Sequence, residues 1–307
     1  MTDKKKTDVP TLEVNPEIEK SMKKPLVIKI DGGLGRVIAM SWAITEVAKK
    51  RPVKVITSRP LVFWWNPYIQ SVHGFDDRDL YRIAIKGNDY FELEPYTDPR
   101  FFNDSVNRLE IARDKLGLEK IAEPKMFLAH HEMRNNNLQG KPVLFQPFWS
   151  TMEFTGWDRS YRSFRVEDAQ YIADRLIQAG YTVYEVFDKD KQPQLNGCVV
   201  CSSPNLRWIV SLASKYPVIW CDSCMHHAAK AFWKQSVVMW AATNVERYWY
   251  DSHINLWEKG MVEHTPMRLW INDFNFDIIN QHSNEFSKEW LDHFVDESLK
   301  FLQSRYK

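Results

Sequence analysis

The chain has 307 residues, enough for two domains of ordinary size or for one large domain. Its 41 Lys and Arg residues nearly balance its 40 Asp and Glu residues, so the net charge is +1. Any contact with nucleic acid or with a membrane surface must therefore depend on a local patch. The charged fraction of 26% and the hydrophobic fraction of 44% are typical of a folded globular chain and exclude a largely disordered one.

The sequence also indicates the cellular compartment in which the protein is found. A membrane-spanning helix needs about 18 consecutive apolar residues, and no run approaches that length, so we expect no stable membrane insertion. Residues 1–24 are polar and carry three consecutive lysines, which predicts a flexible N-terminal tail and not an export signal. Four cysteines without such a signal indicate a reducing compartment. We expect a cytoplasmic protein, in the host cytoplasm if a phage encodes it.

Ordered structure is predicted from Pro25 onward. Residues 26–30 are a short apolar run that predicts a buried strand, which ends in the glycine turn 31–35. Residues 37–50 have apolar side chains at helical spacing and basic side chains at their end, where Pro52 stops the helix. Residues 53–57 predict the next strand. This βαβ unit predicts a parallel sheet with a right-handed crossover.

The polar stretch 135–140 is the predicted domain boundary, which divides an N-terminal domain of residues 25–138 from a C-terminal domain of residues 139–284. The first domain also contains a predicted helix near 105–116. The second domain repeats the pattern, with strands at 142–145, 181–187, 218–220 and 237–240 and helices at 166–178, 206–215 and 226–234. Residues 285–307 predict an amphipathic C-terminal helix, for which we consider packing back on the N-terminal domain. The predicted fold class is α/β, with two Rossmann-like βα domains that face each other across a cleft. A ligand is expected at the carboxyl ends of the strands.

The first candidate site is the glycine turn. Gly32, Gly33 and Gly35 stand between a strand and a helix, where backbone N–H groups and the helix dipole favour a phosphate. The turn is not a dinucleotide fingerprint, because Ile38 stands where the third glycine belongs, and no Gly-Lys-Ser/Thr follows as in a Walker A loop. A tight turn that needs a positive φ is an equal interpretation.

The second candidate site is the segment 221–227, which follows a strand and opens a helix. Asp222 and Ser223 are residue types that cap helix N-termini, which is one interpretation. The other is a second anion site, in which the N–H groups of residues 223–225 face a diphosphate and His227 lies one turn into the helix.

The four cysteines are a third pattern. Cys198, Cys201, Cys221 and Cys224 have the spacing of a four-thiolate zinc ribbon. The apolar run 198–201 predicts a strand, however, in which its two cysteines would point to opposite faces. Buried thiols are expected, and a zinc-stabilised nucleic-acid-binding module stays an alternative.

Taken together, these segments resemble glycosyltransferase family 9, the ADP-heptose:lipopolysaccharide heptosyltransferase group, whose members have the GT-B fold. The likeness is carried by the glycine turn at 30–38, by residues 57–69 with Asn66-Pro67-Tyr68, and by the block 221–231 with Thr243 and Asn244. The block is similar to the family's D-[ST]-G-x-x-H-x-A-x-A pattern. The resemblance covers most of residues 25–250.

The resemblance implies an inverting glycosyltransferase that uses a nucleotide-diphosphate sugar as donor and needs no metal or cofactor. It implies donor-binding roles for Asp222, Ser223, Cys224, Met225, His227, Thr243, Asn244 and Arg162, with Arg159 as the fallback for the arginine. A guanidinium at that position would stabilise the leaving diphosphate.

One departure from the family pattern concerns the general base. The family has an aspartate directly after the glycine turn, where this chain has Arg36, and a guanidinium cannot take a proton from a hydroxyl. Asp31 is the nearest candidate base, and Glu153 and Asp158 are others. The remaining alternatives are a different acceptor or an inactive site. Cys224, where the family has glycine, is a milder departure.

The sequence leaves the acceptor open between a glycan or lipopolysaccharide-type sugar and a hydroxymethylated base in phage-type DNA. Trp64 and Trp65 predict an aromatic wall for the acceptor, or equally a piece of core. A DNA acceptor would need a basic patch, for which the candidates are Arg100, Arg108, Arg113 and Lys115. A non-catalytic sugar-nucleotide or glycan-binding protein is a further alternative. The sequence does not determine the sugar, the nucleotide or the oligomeric state.

Overall fold

A computed structural model describes residues 24–134, 137–148, 162–186, 192–203, 205–241, 243–258 and 285–306. Residues 1–23 of the predicted tail lie outside this range, as do the candidate bases Glu153 and Asp158 and the fallback Arg159. No helix in the described part of the chain is both long and apolar enough to cross a membrane.

The first domain is built on a sheet of four parallel strands in the order β3-β2-β1-β4. These strands are β1 (Leu26–Lys29), β2 (Val53–Ile56), β3 (Ser71–His73) and β4 (Asp89–Glu92). Helix α1 (Leu34–Lys50) connects β1 to β2, which confirms the predicted βαβ unit. Three shorter helices follow the sheet: α2 (Pro99–Asn103), α3 (Arg108–Lys115) and α4 (His130–Arg134).

Helix α1 is buried on more than one side. Eleven of its residues, between Val37 and Ala48, are buried. A helix of this length with a single buried face would have about seven to nine, so α1 must be covered both by its own sheet and by a second element. That second element belongs to the other domain.

The second domain is a six-stranded parallel sheet in the order β10-β9-β8-β5-β6-β7. Its strands are β5 (Pro142–Gln146), β6 (Thr182–Val186), β7 (Val199–Cys201), β8 (Val218–Cys221), β9 (Val237–Trp240) and β10 (Ile254–Trp257). Its helices are α5 (Val166–Gln178), α6 (Leu206–Ala213) and α7 (Cys224–Ala231). Each strand and helix predicted for this domain is present, although α7 begins two residues earlier than predicted.

The C-terminal helix α8 (Lys288–Arg305) packs on the second domain, against α5 and β9. It begins at Ser287, whose Oγ accepts a hydrogen bond from the Trp290 amide at 3.2 Å. Trp290 and Phe294 lie one turn apart and pack against the buried ring of Phe164. The suggestion that this helix packs back on the N-terminal domain is therefore wrong for the described residues, because its aromatic stripe fits the apolar surface beside β9.

The two domains share one hydrophobic core. Helix α1 of the first domain packs along α7 of the second, and Val37, Met225 and Ala228 belong to the same buried cluster. Arg207 of α6 adds polar contacts, since it donates to the Leu61 carbonyl at 2.6 Å and to the Glu132 carboxylate at 2.7 Å. The domains are thus held together by apolar packing and by buried hydrogen bonds.

Candidate active site

The N-termini of α1 and α7 meet where the two domains touch, and Gly35 makes their close approach feasible. A Cβ at Gly35 would lie 2.9 Å from the His227 ring and 3.1 Å from the Cys224 Cα. In the same turn, Gly32 has φ +106, a region that L side chains rarely adopt. Gly33 is the N-cap residue of α1 and has neither restriction. The glycine turn therefore serves backbone geometry at Gly32 and helix packing at Gly35.

Segment 221–227 has the capping geometry that its residue types predict. Ser223 is the N-cap of α7: its Oγ accepts from the Met225 amide at 3.3 Å and donates to Gln146 Oε1 at 2.8 Å. Asp222 is buried, and its Oδ2 lies 3.3 Å from Nε of Arg162. The structure thus brings Arg162 and Asp222 together at the carboxyl end of β8, and their role in binding a donor stays a prediction.

Thr243 and Asn244 follow β9 at the same edge of the second sheet. Thr243 is buried, and its Oγ1 has no hydrogen-bond partner among the described residues. Asn244 accepts from the Glu246 amide at 2.9 Å, and its Nδ2 donates to Ser105 Oγ of the first domain at 3.1 Å. Asn244 therefore connects the two domains, whereas Thr243 has unused hydrogen-bonding capacity.

Arg108 is the residue that sequence reasoning placed elsewhere. It begins α3 and is only 3% exposed, so it is not part of a surface patch. It donates to Tyr96 Oη at 3.1 Å and to Nε2 of His227, and its guanidinium carbon lies 4.8 Å from the Tyr248 ring centroid. A guanidinium only donates, so Nε2 of His227 accepts, and its Nδ1–H donates to Tyr250 Oη at 2.8 Å.

The two adjacent histidines are neutral at physiological pH. Burial, then the neighbouring histidines and the charges of Arg108 and Arg162, hold the pKa values of His226 and His227 well below 6.5. Nε2 of His226 lies 2.7 Å from Nε2 of His227, an arrangement that requires at least one neutral ring. The two imidazoles therefore contribute no charge to the site, and they do not change the net positive charge of the arginines.

Arg36 is paired with a carboxylate that the sequence did not single out. Its Nη1 donates to Glu94 Oε2 at 2.6 Å, and its guanidinium carbon lies 4.1 Å from the Tyr96 ring centroid. The second oxygen of Glu94 accepts from the Tyr96 amide at 3.1 Å. Burial by itself would raise the pKa of Tyr96, but the charges of Arg108 and Arg36 outweigh burial and lower that pKa below 10. These residues form one connected network with His227.

Asp31, the candidate base, lies at the open side of this network. It is exposed and accepts a hydrogen bond from Ser58 Oγ at 2.5 Å. Partial burial acts to raise its pKa, but hydrogen bonds from Ser58 and from the Gly32 amide, with the charge of Arg36, outweigh it and lower the pKa below 3.8. Asp31 is thus a weaker base than an ordinary aspartate.

The junction has an excess of positive charge. Arg36 and Arg162 each have a carboxylate partner, Glu94 and Asp222 respectively. Arg108 has none within ion-pair distance among the described residues, and its contacts there are two phenols and an imidazole. A buried charge without a counter-ion is costly, so this site favours an anionic ligand.

The predicted aromatic wall does not contact this network. Trp64 and Trp65 are 50% and 60% exposed, which rules out the core interpretation. Their ring contacts are on the α4 and α6 side of the molecule, with Arg207 at 5.9 Å and His131 at 6.3 Å from the respective ring centroids. The two tryptophans are a surface feature whose role as an acceptor wall stays a prediction.

The proposed basic patch is largely neutralised. Arg100 pairs with Asp98 at 2.9 Å and with Asp114 at 2.8 Å, and Arg113 shares Asp114. Lys115 donates to the Glu94 carbonyl at 2.8 Å. Arg108 is buried, so Lys115 is the one patch candidate at the surface that has no carboxylate partner among the described residues.

Two of the four cysteines lie on different strands of the second sheet. Cys201 ends β7 and Cys221 ends β8, and β5 and β6 lie between them, which is about 14 Å at the usual strand spacing. Burial raises the pKa values of Cys198, Cys201 and Cys224 to about 12, so these thiols stay protonated. In the described part of the chain no group of three or more His, Cys, Asp or Glu side chains is placed to hold a metal. This arrangement does not provide the four-thiolate site of a zinc ribbon.

Comparison with known proteins identifies the fold. No protein-family model matches the sequence, and no curated protein is significantly similar to it in sequence. A glycosyltransferase family 9 structure from Veillonella parvula matches with a TM-score of 0.63 at 13% identity, over 94% of this chain and 99% of that one. TibC from enterotoxigenic E. coli, an iron-containing dodecameric glycosyltransferase, matches with a TM-score of 0.63 at 15% identity, over 94% and 78%.

A third solved structure, ADP-heptose lipopolysaccharide heptosyltransferase II of E. coli, matches with a TM-score of 0.55 at 15% identity, over 90% of this chain and 99% of that one. The chain therefore has a fold like that of the family 9 heptosyltransferases, the GT-B arrangement of two Rossmann-like domains, as the sequence predicts. At these identities the likeness concerns the fold, and the activity has to be argued from the site.

Proposed function

We propose that the protein is an inverting glycosyltransferase that moves a sugar from a nucleotide-diphosphate sugar to an acceptor hydroxyl. The observation that carries this proposal is Arg108, a guanidinium 3% exposed at the junction of two GT-B domains, with no carboxylate partner among the described residues. Burying an ion without a partner costs several kcal/mol. A diphosphate bound there would supply the missing negative charge.

The donor side of the site is supported by elements around Arg108. Helix α7 points its N-terminus at the junction, where its dipole favours an anion. Arg162 lies at the same edge of the sheet, held by Asp222, and Thr243 Oγ1 is buried with no protein partner in the described part of the chain. Arg108, Arg162 and the helix N-terminus would stabilise the charge that develops on the leaving diphosphate.

The reaction is a single in-line displacement. The acceptor oxygen attacks the anomeric carbon while the bond from that carbon to the diphosphate oxygen breaks, which inverts the anomeric centre. A carboxylate takes the acceptor's proton. We assign charge stabilisation to the chain's own arginines without a metal ion or cofactor, although TibC, one of the structural neighbours, is an iron-containing protein.

For the acceptor, we favour a lipopolysaccharide-type or other glycan, since a structural neighbour acts on lipopolysaccharide and binds ADP-heptose by its name. A DNA acceptor is less favoured because Arg100 and Arg113 are paired with aspartates and Arg108 is buried. We expect the protein to act in the cytoplasm on soluble nucleotide sugars.

A second candidate function is a sugar-nucleotide-binding protein without turnover. It is favoured by Arg36, which stands at the family's general-base position and is held there by Glu94. This candidate predicts donor binding of the same strength with no transfer to any acceptor.

A thermal-shift screen tests the proposal. The purified protein is heated with ADP, UDP, GDP, ADP-heptose and UDP-glucose, with inorganic phosphate as the control for a general anion effect. A ligand that binds only the folded state at 100 times its Kd adds roughly 2.7 kcal/mol of stability. We expect a raised Tm with one nucleotide family and a smaller change with phosphate. No shift with any nucleotide would overturn the proposal.

A further inference from the structure

A carboxylate and a guanidinium stand side by side at the carboxyl edge of the first sheet. Strand β4 pairs with β1 in a register that places Glu92 opposite Lys29, so Glu94 lies just beyond the strand end, beside the glycine turn. Arg36 lies in the first turn of α1 and donates to Glu94 Oε2 at 2.6 Å. The pair therefore joins two chain segments, 58 residues apart, that both border the domain junction.

The carboxylate of Glu94 is held in a fixed position. One oxygen accepts from Arg36, and the other accepts from the Tyr96 amide at 3.1 Å. Each carboxylate oxygen has a second lone pair, so both can still accept a proton or a hydrogen bond. The side chain is 25% exposed, which leaves it accessible to an acceptor molecule.

Glu94 is close to the residues proposed to bind the donor. Arg36 follows Gly35, where a Cβ would lie 2.9 Å from the His227 ring and 3.1 Å from the Cys224 Cα at the start of α7. Tyr96, two residues after Glu94, accepts a hydrogen bond from Arg108. The Glu94 carboxylate is thus connected through Arg36 to the start of α7 and through Tyr96 to Arg108, the two groups proposed to bind the diphosphate.

We infer that Glu94 is the catalytic base and that Arg36 is its positioning residue. This inference rests on the proposed transferase function. In the transfer, the acceptor O–H proton moves to a Glu94 oxygen, and the acceptor oxygen forms the new bond to the anomeric carbon. The electron pair of the broken glycosyl bond leaves with the diphosphate. Glu94, just beyond the end of β4, then supplies the carboxylate that the family has directly after its glycine turn and that this chain replaces with Arg36.

Asp31 is the rival, and two observations set it apart from Glu94. It is exposed, whereas the Glu94 side chain is only 25% exposed. Its hydrogen bonds come from Ser58 Oγ and the Gly32 amide, neither of which belongs to the network around Arg108. Glu94 instead faces Arg36 and Tyr96, which are members of the buried network.

Two acceptors separate base catalysis from binding and folding. The probe is ADP-heptose, or the nucleotide sugar of the panel above that gives the largest thermal shift. Water must lose a proton to accept the sugar, whereas azide ion carries none. We measure release of the nucleoside diphosphate with each acceptor and confirm the glycosyl azide by mass spectrometry. Donor Kd and Tm are measured for every variant.

Glu94→Gln keeps the oxygen that accepts from the Tyr96 amide and removes the base. We expect transfer to water to fall by at least about 100-fold, a common size for loss of a general base. Transfer to azide and donor Kd should match the wild-type values. Asp31→Asn tests the rival base. Glu92→Gln, an exposed carboxylate at the end of β4, is the matched control and should leave both reactions unchanged.

Other outcomes would contradict either the assignment of Glu94 as the base or the proposed transferase function. If Glu94→Gln hydrolyses the donor at the wild-type rate, or if Asp31→Asn loses hydrolysis, Glu94 is not the base. Loss of transfer to both water and azide in Glu94→Gln would show a structural role and also overturn the inference. If the wild-type protein binds the donor but transfers to neither acceptor, the transferase function and the base fail together. If no nucleotide sugar binds, the proposed function itself has failed.

Discussion

Glu185 offers a quantitative test of how this fold handles a buried charge. Its side chain is fully buried in β6, where Oε2 accepts from the Leu195 amide at 3.1 Å. Its Oε1 has no hydrogen-bond partner among the described residues. Burial raises the pKa of Glu185 from 4.5 to about 6, although the Leu195 hydrogen bond acts in the opposite direction. The folded protein therefore holds this proton more tightly than the unfolded chain does.

The sign and size of the effect follow from linkage. Because the folded-state pKa is raised, the stability linked to this proton is fully present below pH 4.5 and is lost as the pH rises through 6. A shift of about 1.5 pKa units at 1.36 kcal/mol per unit corresponds to roughly 2 kcal/mol. Glutamine at this position is neutral at every pH and can still accept from the Leu195 amide. The stability of Glu185→Gln minus that of the wild type should therefore increase by roughly 2 kcal/mol as the pH rises from 4.5 to 8.

Urea unfolding at several pH values between 4.5 and 8 measures this gain. The quantity of interest is the stability difference between Glu185→Gln and wild type, because other titrating groups contribute equally to both proteins. Glu119→Gln, at an exposed position, is the control and should show a flat difference. A flat difference for Glu185→Gln as well would refute the reasoning, since it would mean that burial does not perturb this carboxylate.

Three further predictions concern the domain junction. Gly35→Ala should destabilise the protein by about 1–3 kcal/mol in urea unfolding, because its Cβ would lie 2.9 Å from His227, whereas Gly33→Ala has nothing within 4 Å and should change little. Equal effects of these two substitutions would contradict the packing role of Gly35. Because the pKa values of His226 and His227 are held well below 6.5, only the unfolded chain takes up protons as the pH falls below that value. In the Glu185→Gln background, which lacks the opposing contribution of Glu185, stability should then drop by up to about 1.4 kcal/mol per pH unit for each histidine, and an unchanged stability between pH 7 and pH 5 would show that they are not buried and neutral. Arg207→Met should cost about 3–5 kcal/mol, since it removes the buried guanidinium that binds the Glu132 carboxylate and two carbonyls, and a loss below 1 kcal/mol would argue against a stabilising contact between the domains.

The sequence predicts the βα units well because each one has its own local signals. Residues 26–57 combine two apolar runs with a helical repeat between a glycine turn and a proline, and β1, α1 and β2 follow that pattern. The same signals delimit β8, α7 and β9 in the second domain. In these segments local propensity and tertiary packing favour the same structure.

The short edge strands give no such signal. Strand β3 has three residues, Ser71–His73, and β4 (Asp89–Glu92) carries exposed charged side chains at both ends, so neither strand has the apolar run that marks a buried one. Missing β4 also meant missing Glu94, because the carboxylate gains its place only from the pairing of β4 with β1. A search for acidic residues just beyond candidate strand ends would have found it.

The role of Arg108 could not be derived from local pattern. Helix α3 has a mixed charged sequence, which is typical of a solvated helix. Its first residue is buried only because Tyr96, Tyr248 and His227, from three distant segments, surround it. A contact of this kind depends on how the two domains are placed, and that placement has no signature in a window of neighbouring residues.

Isothermal calorimetry of ADP and of ADP-heptose with the wild type, Arg108→Met and Arg113→Met tests the central claim most directly. Arg113 lies on the same helix but pairs with Asp114, so Arg113→Met is the matched control. The account predicts binding to the wild type and to Arg113→Met. It predicts that Arg108→Met, folded at the same Tm or above it, loses at least about 2 kcal/mol of binding free energy, a factor of roughly 30 in Kd. Equal affinity of all three proteins, or no binding to the wild type, would contradict the claim that Arg108 binds the donor diphosphate.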